Sequence, residues 1–244
     1  MSLFLEFVEQ IRAEAIAAHP EEAVWLITPG ECRLVKNNHP DPENYFSVAP
    51  RTLASAMKRG LLAVVHSHPG GYAAPSEADM RGQIDSNVPW GLLSTDGVVA
   101  SELIWWGCNA PIAPIVGRQF RHGVTDCYAL IKDYYSVELG TYLPEFPRSW
   151  EWWNEGGDGF LAGFPLAGFV RIDASEARPG DVWLAQIRSP VPNHGGVLLE
   201  GNMILHQLGA TKPVDPARLS VREPLQRYMN LITHWLRYAE ATDQ

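Results

Sequence analysis

The stretch Leu61-Leu62-Ala63-Val64-Val65-His66-Ser67-His68-Pro69, followed by Ser76 and Asp79, decides how the first half of this chain is read. Leu61 to Val65 is an apolar run opening after Gly60, the mark of a buried strand. Side chains alternate across a strand, so His66 and His68 project from one face. Pro69 ends the strand and Gly70-Gly71 loosens the loop. Ser76 reads as a helix N-cap with Asp79 at capping-box spacing. Asp79 then lies in the first turn of the next helix, where the loop can fold it back toward the two imidazoles. Two neutral imidazoles and a carboxylate around an open fourth position are a donor set suited to a catalytic zinc. A water in that position ionises near pH 7 and becomes a usable nucleophile. A lone His-x-His is as well read as a polar strand end; Ser76 and Asp79 turn the reading toward a site.

The whole string resembles the JAMM motif of MPN-type zinc peptidases, His-x-His-Pro followed by Ser-x-x-Asp. The resemblance implies an MPN fold and a zinc ion held by His66, His68 and Asp79. It also implies a general-base glutamate on or just before an early strand. His19-Pro20-Glu21-Glu22-Ala23-Val24-Trp25 occupies that place, with Glu22 the better match and Glu21 the alternative. In this family role Glu22 takes the proton of the water and Ser76 steadies the developing oxyanion. Apart from the resemblance, Glu22 reads as an exposed residue at a helix-to-strand junction.

Outward from this stretch, an amphipathic helix is expected over Ser2 to about Ala18, with Phe4, Leu5, Val8, Ile11, Ala15 and Ile16 on one side. Strands are expected at Ala23–Ile27, Cys32–Lys36 and Tyr45–Val48, and a helix from Pro50 to its C-cap at Gly60. Trp90–Leu93 and Glu102–Trp106 read as two more strands around an Asp96-Gly97 turn. Cys32 and Cys108 read as small packing residues. Asn109-Ala110-Pro111-Ile112-Ala113-Pro114 carries two prolines and no periodic pattern, and is the best domain boundary. The expected domains are 1–110 and 111–244.

Past the boundary, Thr125-Asp126-Cys127-Tyr128-Ala129-Leu130-Ile131 puts a cysteine at a helix start that Thr125 or Asp126 can cap. A thiol there feels the positive end of the helix dipole, which favours thiolate and prepares a nucleophile. Downstream come a Gly180-Asp181 strand, then His194 and His206 on the two arms of a hairpin. This half resembles the NlpC family of cysteine peptidases, which cut peptide stems of bacterial cell walls. The resemblance implies a papain-like α+β domain with Cys127 as nucleophile, His194 as general base and His206 as the residue that orients it. The family commonly has Ser-Gly after the cysteine, where this chain has Tyr128-Ala129. Without the resemblance, Cys127 is a buried helix cysteine and each histidine a polar strand end.

The two histidines must share a face of their hairpin. A three-residue loop Gly201-Asn202-Met203, with Leu198 opposite His206, meets that condition; a two-residue turn does not. Gly140–Phe169, rich in Trp and Gly, is either a substrate-facing loop or an aromatic cluster closing the core, and the core is favoured. Ser220–Ala239 reads as a helix, or a helix running into a terminal strand.

The composition is consistent with two such domains. The chain has 244 residues, 46% of them hydrophobic, with nine Trp, enough for two cores. A net charge of −9 argues against nucleic-acid binding. No window approaches about 18 apolar residues, so no membrane span is expected. The start, MSLFLEFVEQIRAEA, carries acid early and is unlike a secretory signal. Three cysteines form no disulfide framework.

A JAMM domain followed by an NlpC domain resembles the lambda-type phage tail-tip assembly family over nearly the whole chain. The expectations are a role in tail-tip assembly in the host cytoplasm and at the virion tip, hydrolysis of peptidoglycan stem peptides, and tail-tip protein partners. One such partner is expected to have a ubiquitin-like fold. The competing readings are a scaffold or chaperone with dispensable catalysis, and a peptidase of ubiquitin-like proteins.

Overall fold

The structure is a computed structural model that describes residues 3–154 and 156–239. The expected helix start at Ser2 lies outside them. Contacts divide the chain into two units, Met1–Pro111 and Ile112–Gln244.

The first unit opens with a 3-10 turn, Leu5–Phe7, and helix α1, Val8–Ala18. Strands β1 (Val24–Thr28), β2 (Glu31–Val35), β3 (Ala63–Pro69), β4 (Trp90–Thr95) and β5 (Ile104–Trp106) form one sheet in the order β2-β1-β3-β4-β5. Helix α2 is Pro50–Lys58 and α3 is Glu77–Ser86. β1 is buried at every position. Ile11 and Ala15 of α1 pack with Trp25, Ile27, Val65 and Leu93 in the core. β3 and β4 run parallel, and a parallel pair needs a crossover. α3 supplies it, so the topology delivers Asp79 to the end of β3. The strand expected at Tyr45–Val48 is absent. Asn38 donates its N–H to Ser47 O (2.9 Å), and Ser47 donates to Asn37 Oδ1 (3.1 Å), so the loop closes on itself instead of joining the sheet.

In the second unit β6 (Gln119–Arg121), β7 (Phe169–Ile172), β8 (Val182–Ala185), β9 (His194–Leu199), β10 (Met203–Gln207), β11 (Val214–Pro224) and β12 (Ile232–Tyr238) form a sheet ordered β6-β11-β10-β9-β8-β12-β7. Every pairing in it is antiparallel. Helices α4 (Cys127–Leu139) and α5 (Gly159–Leu166) share a core with it: Tyr128, Ile131 and Tyr135 meet Phe160, Phe164, Val182, Leu184 and Val197. Trp183, Leu198 and Ile204 form a separate cluster with Leu225 and Tyr228.

Two expectations are corrected here. The helix expected in Ser220–Ala239 is absent, though the terminal strand of the second reading is there as β12: the i, i+3 spacing of Leu225 and Tyr228 is one 3-10 turn between β11 and β12. The hairpin loop is Glu200-Gly201-Asn202, pairing Met203 with Leu199 and His206 with Gly196, two residues from the expected register. A shift of two preserves the face, so the condition on the histidines is still met. The Trp- and Gly-rich segment contributes Phe160 and Phe164 to the core, through a helix that its glycines and Pro165 had disguised.

Gly196 lies opposite Trp183 on β8 and His206 on β10. A Cβ there would lie 2.4 Å from Leu205 O and 2.8 Å from both His206 Cβ and Trp183 Cζ2. Gly196→Ala should cost the second domain about 1–3 kcal/mol, measured by chemical denaturation, with Gly209→Ala, where an added Cβ meets nothing within 4 Å, as a loop control.

Candidate active sites

The first site is built by register. β1 and β3 pair antiparallel with Val24 opposite His66, so two residues on Glu22 stands opposite His68. Ser67 faces the other way and locks this pairing: its hydroxyl accepts the Ala23 N–H at 2.9 Å, and its own N–H donates to Ala23 O. His66 and His68 therefore share a face, with their Nε2 atoms 3.2 Å apart. Asp79 Oδ1 lies 3.3 Å from His66 Nε2 and Oδ2 lies 3.4 Å from His68 Nε2. Ser76 caps α3 with a complete capping box. Its N–H and O–H both donate to Asp79 Oδ2, at 2.8 and 2.7 Å. The Ser76 hydroxyl is thus spent on orienting Asp79, and reaches toward a substrate oxygen only if that bond is released.

His68 Nδ1 lies 2.9 Å from Tyr72 O. A carbonyl only accepts, so Nδ1 carries the hydrogen and Nε2 keeps its lone pair. Among the described residues His66 has no such partner for Nδ1, and it is held by packing against Phe46, Trp90 and Trp106. The donors fit zinc. Two Zn–N bonds of about 2.0–2.1 Å at a tetrahedral angle place the nitrogens about 3.3 Å apart, close to the separation here. Glu22 Oε1 is 3.9 Å from His68 Nε2, too far for a direct bond but near enough to share a water. Burial pushes the Glu22 carboxyl up to about 7. Burial holds His66 in its neutral form, as a metal ligand must be. The group opens into a cleft of about 420 Å³ also walled by Glu43 and, from the segment expected to be a strand, by Tyr45 and Phe46.

The second site starts at α4. Asp126 is its N-cap, accepting from Ala129 N at 3.0 Å through one oxygen and from Gly123 N at 2.8 Å through the other. Arg148 grips the latter oxygen with Nε and Nη2, at 3.0 and 2.7 Å. Cys127 follows the cap, and the Gly195 and Tyr128 N–H groups point at its sulfur. Burial of the sulfur works against the expected thiolate. Burial, helped by Asp126, pushes the thiol up to about 12, outweighing Arg148 and the backbone donors. His194 begins β9 and His206 lies on β10, with His194 Nε2 2.9 Å from His206 Nδ1. Burial lowers His194 to about 3, so its imidazole is neutral and free to act as a base.

Sequence reasoning missed Glu223, whose Oε1 lies 2.8 Å from His206 Nε2. It lay hidden in a segment read as helix, although Val221-Arg222-Glu223-Pro224 ends at a proline as an edge of a strand does. Arg148 was missed as well, since nothing in its neighbourhood signals a partner 22 residues away.

Two expectations follow from these shifts. Iodoacetamide should modify Cys127 slowly at pH 7, the rate still rising with pH to beyond pH 10. The folded pKa of His194 lies below its unfolded value of about 6.5. Its contribution to stability is then complete above pH 6.5 and lost as pH falls toward 3. Denaturation of the second domain should follow that slope, and His194→Asn should flatten it.

Residues 5–106 match the prokaryotic homologs of the JAB domain, and residues 117–233 match the NlpC/P60 family. The tail tip assembly protein K of Escherichia phage lambda is 37% identical over 171 residues, 70% of this chain and 78% of that protein. Its namesake from Escherichia phage N15 is 30% identical over 82% of this chain and 84% of that protein. A probable TtuB-protein conjugate cleaving protease of Thermus thermophilus is 34% identical over 38% of this chain and 69% of its own length. On this similarity the chain belongs to the tail tip assembly protein K family, a JAB/MPN domain followed by an NlpC/P60 domain.

Proposed function

We propose that this protein serves in assembly of the phage tail tip and carries two hydrolytic sites of peptidase type, in domains 1–110 and 111–244. The observation that carries the reading is the convergence of both histidine Nε2 atoms and Asp79 on one point, with Glu22 standing just behind. Peptidoglycan stem peptides and a tail-tip protein are the proposed substrates, and other tail-tip proteins, one of ubiquitin-like fold, the proposed partners. The protein works in the host cytoplasm during tail assembly and at the virion tip.

In the first domain His66, His68 and Asp79 would hold zinc, which supplies a Lewis acid and a water that ionises near pH 7. Ser76 and the Tyr72 carbonyl keep two of these ligands aimed. Glu22, poised near neutrality, takes the proton of the attacking water and passes it to the leaving nitrogen. Ser76 can turn its hydroxyl to the developing oxyanion once it lets go of Asp79. In the second domain His194 accepts the Cys127 proton as sulfur attacks the carbonyl carbon, and returns it to the leaving amine. A water then cleaves the thioester.

A second reading, a tail-tip scaffold with dispensable catalysis, is favoured by the resting thiol: at about 12 it is fully protonated at neutral pH. The similarity to a conjugate-cleaving protease favours a third, peptidase action on ubiquitin-like conjugates by the first domain.

Fresh protein purified without chelator should contain close to one zinc per chain, and His68→Ala should lose most of it. Protein free of zinc would end the metallopeptidase reading. Glu22→Gln should keep the metal and lower hydrolysis by about 10²–10⁴-fold. Wild type should release peptide fragments from purified peptidoglycan, seen by mass spectrometry, and Cys127→Ala should not. Phages carrying Cys127→Ala and His68→Ala that assemble and infect normally would favour the scaffold.

A further inference from the structure

The second site continues one strand further than its cysteine and two histidines. His206 lies opposite Gly196 on β9 and opposite Val221 on β11. His194 is two residues before Gly196, and Glu223 is two residues after Val221. Both therefore lie on the face of His206, each one diagonal step away across the sheet. The outcome is a row across three strands, its two imidazoles buried and its carboxylate half-buried: His194 Nε2 to His206 Nδ1 at 2.9 Å, and His206 Nε2 to Glu223 Oε1 at 2.8 Å. Glu223 is itself held from behind. Arg227 binds its Oε2, and the Tyr228 hydroxyl donates to the carboxylate. Tyr228 also lays its ring 4.7 Å from the His206 ring.

The row has a direction. An ionised carboxylate only accepts, so His206 Nε2 must carry a hydrogen. A neutral imidazole carries one hydrogen, so His206 Nδ1 is a lone pair and must accept. His194 Nε2 must then donate, which leaves the lone pair of His194 on Nδ1. The opposite polarity would place N–H on His194 Nδ1 and leave that nitrogen unable to take a proton. The Gly195 N–H, next in the chain, already points at the Cys127 sulfur.

We infer that Glu223 is a positioning residue that sets the tautomers of His206 and His194, and so makes His194 Nδ1 the base of the cysteine site. This rests on the reading of Cys127, His194 and His206 as a peptidase site, but the state of the rings can be measured apart from any activity. Arg227 and Tyr228 supply the lever. In Glu223→Gln these two donors hold the amide oxygen, so the amide NH₂ faces His206 Nε2. The row then reverses, and His194 presents N–H where it should present a lone pair. A triad in which asparagine replaces the orienting aspartate keeps its geometry and loses about 10⁴-fold in kcat through the wrong tautomer.

The test is nitrogen NMR of the full chain with ¹⁵N-labelled histidine, in wild type and Glu223→Gln. Wild type should show hydrogen on Nε2 of both His194 and His206. Glu223→Gln should move both to Nδ1, and Cys127 alkylation at pH 8 should fall at least tenfold. Adding Arg227→Ala and Tyr228→Phe to Glu223→Gln lets the amide turn its oxygen inward, and should restore wild-type tautomers and most of the alkylation rate. A purely structural Glu223 would gain nothing from losing two more contacts. Wild type with hydrogen on His206 Nδ1 overturns the inference without any variant. So does a Glu223→Gln protein with unchanged tautomers. Correct tautomers with no peptide hydrolysis by wild type would overturn the peptidase reading instead and leave the role of Glu223 standing.

Discussion

Both sites depend on one constraint, that successive side chains on a strand point to opposite faces. His66 and His68 can meet one point in space only because one residue separates them. Ser67, between them, turns its hydroxyl to the Ala23 N–H and so fixes the strand pairing that brings Glu22 opposite His68. The same constraint acts across strands in the second domain, where His194, His206 and Glu223 fall on one face of three neighbours. A slip of one residue in either sheet would scatter the polar groups and turn them into the apolar layer. The apolar packing of Trp25, Val65 and Leu93 in one domain, and of Val182, Leu184 and Val197 in the other, is what forbids that slip.

Burial does chemical work in both places, in different directions. It raises the Glu22 carboxyl to about 7. It lowers His194 to about 3 and lifts Cys127 to about 12, which favours a neutral imidazole and a neutral thiol over an ion pair at rest. The Asp126–Arg148 pair behind the cysteine neutralises itself, so little positive charge is left to draw the thiol proton away.

The fold and much of the site geometry were legible because their signals are local. His66, His68, Ser76 and Asp79 lie within one strand–loop–helix unit, and the capping box is written in the sequence itself. Asp126 before Cys127 announced the start of α4 in the same way. What escaped was decided by distant partners. Glu223 belongs to β11 only because β10 is there to pair with it, and the i, i+3 spacing of Leu225 and Tyr228 mimicked a helix. The helix dipole that favours a thiolate is visible in sequence, whereas the burial that opposes it is not. The hairpin register was displaced by two because Glu200, polar and next to a glycine, joins the loop instead of the ladder.

Each site also carries its own tryptophans. Trp90 and Trp106 stand 5.7 and 6.2 Å from His66, centroid to centroid, and Trp183 stands 5.4 and 5.7 Å from His194 and His206. An excited indole loses its energy to a protonated imidazole nearby and keeps it beside a neutral one. Light emission therefore responds to the charge on these rings, and since Trp150 stands as close to His122, 5.4 Å between centroids, replacing Trp183 and Trp150 separately and Trp90 together with Trp106 would assign the signals. Packing that shapes the rings has also made the molecule its own optical titration indicator.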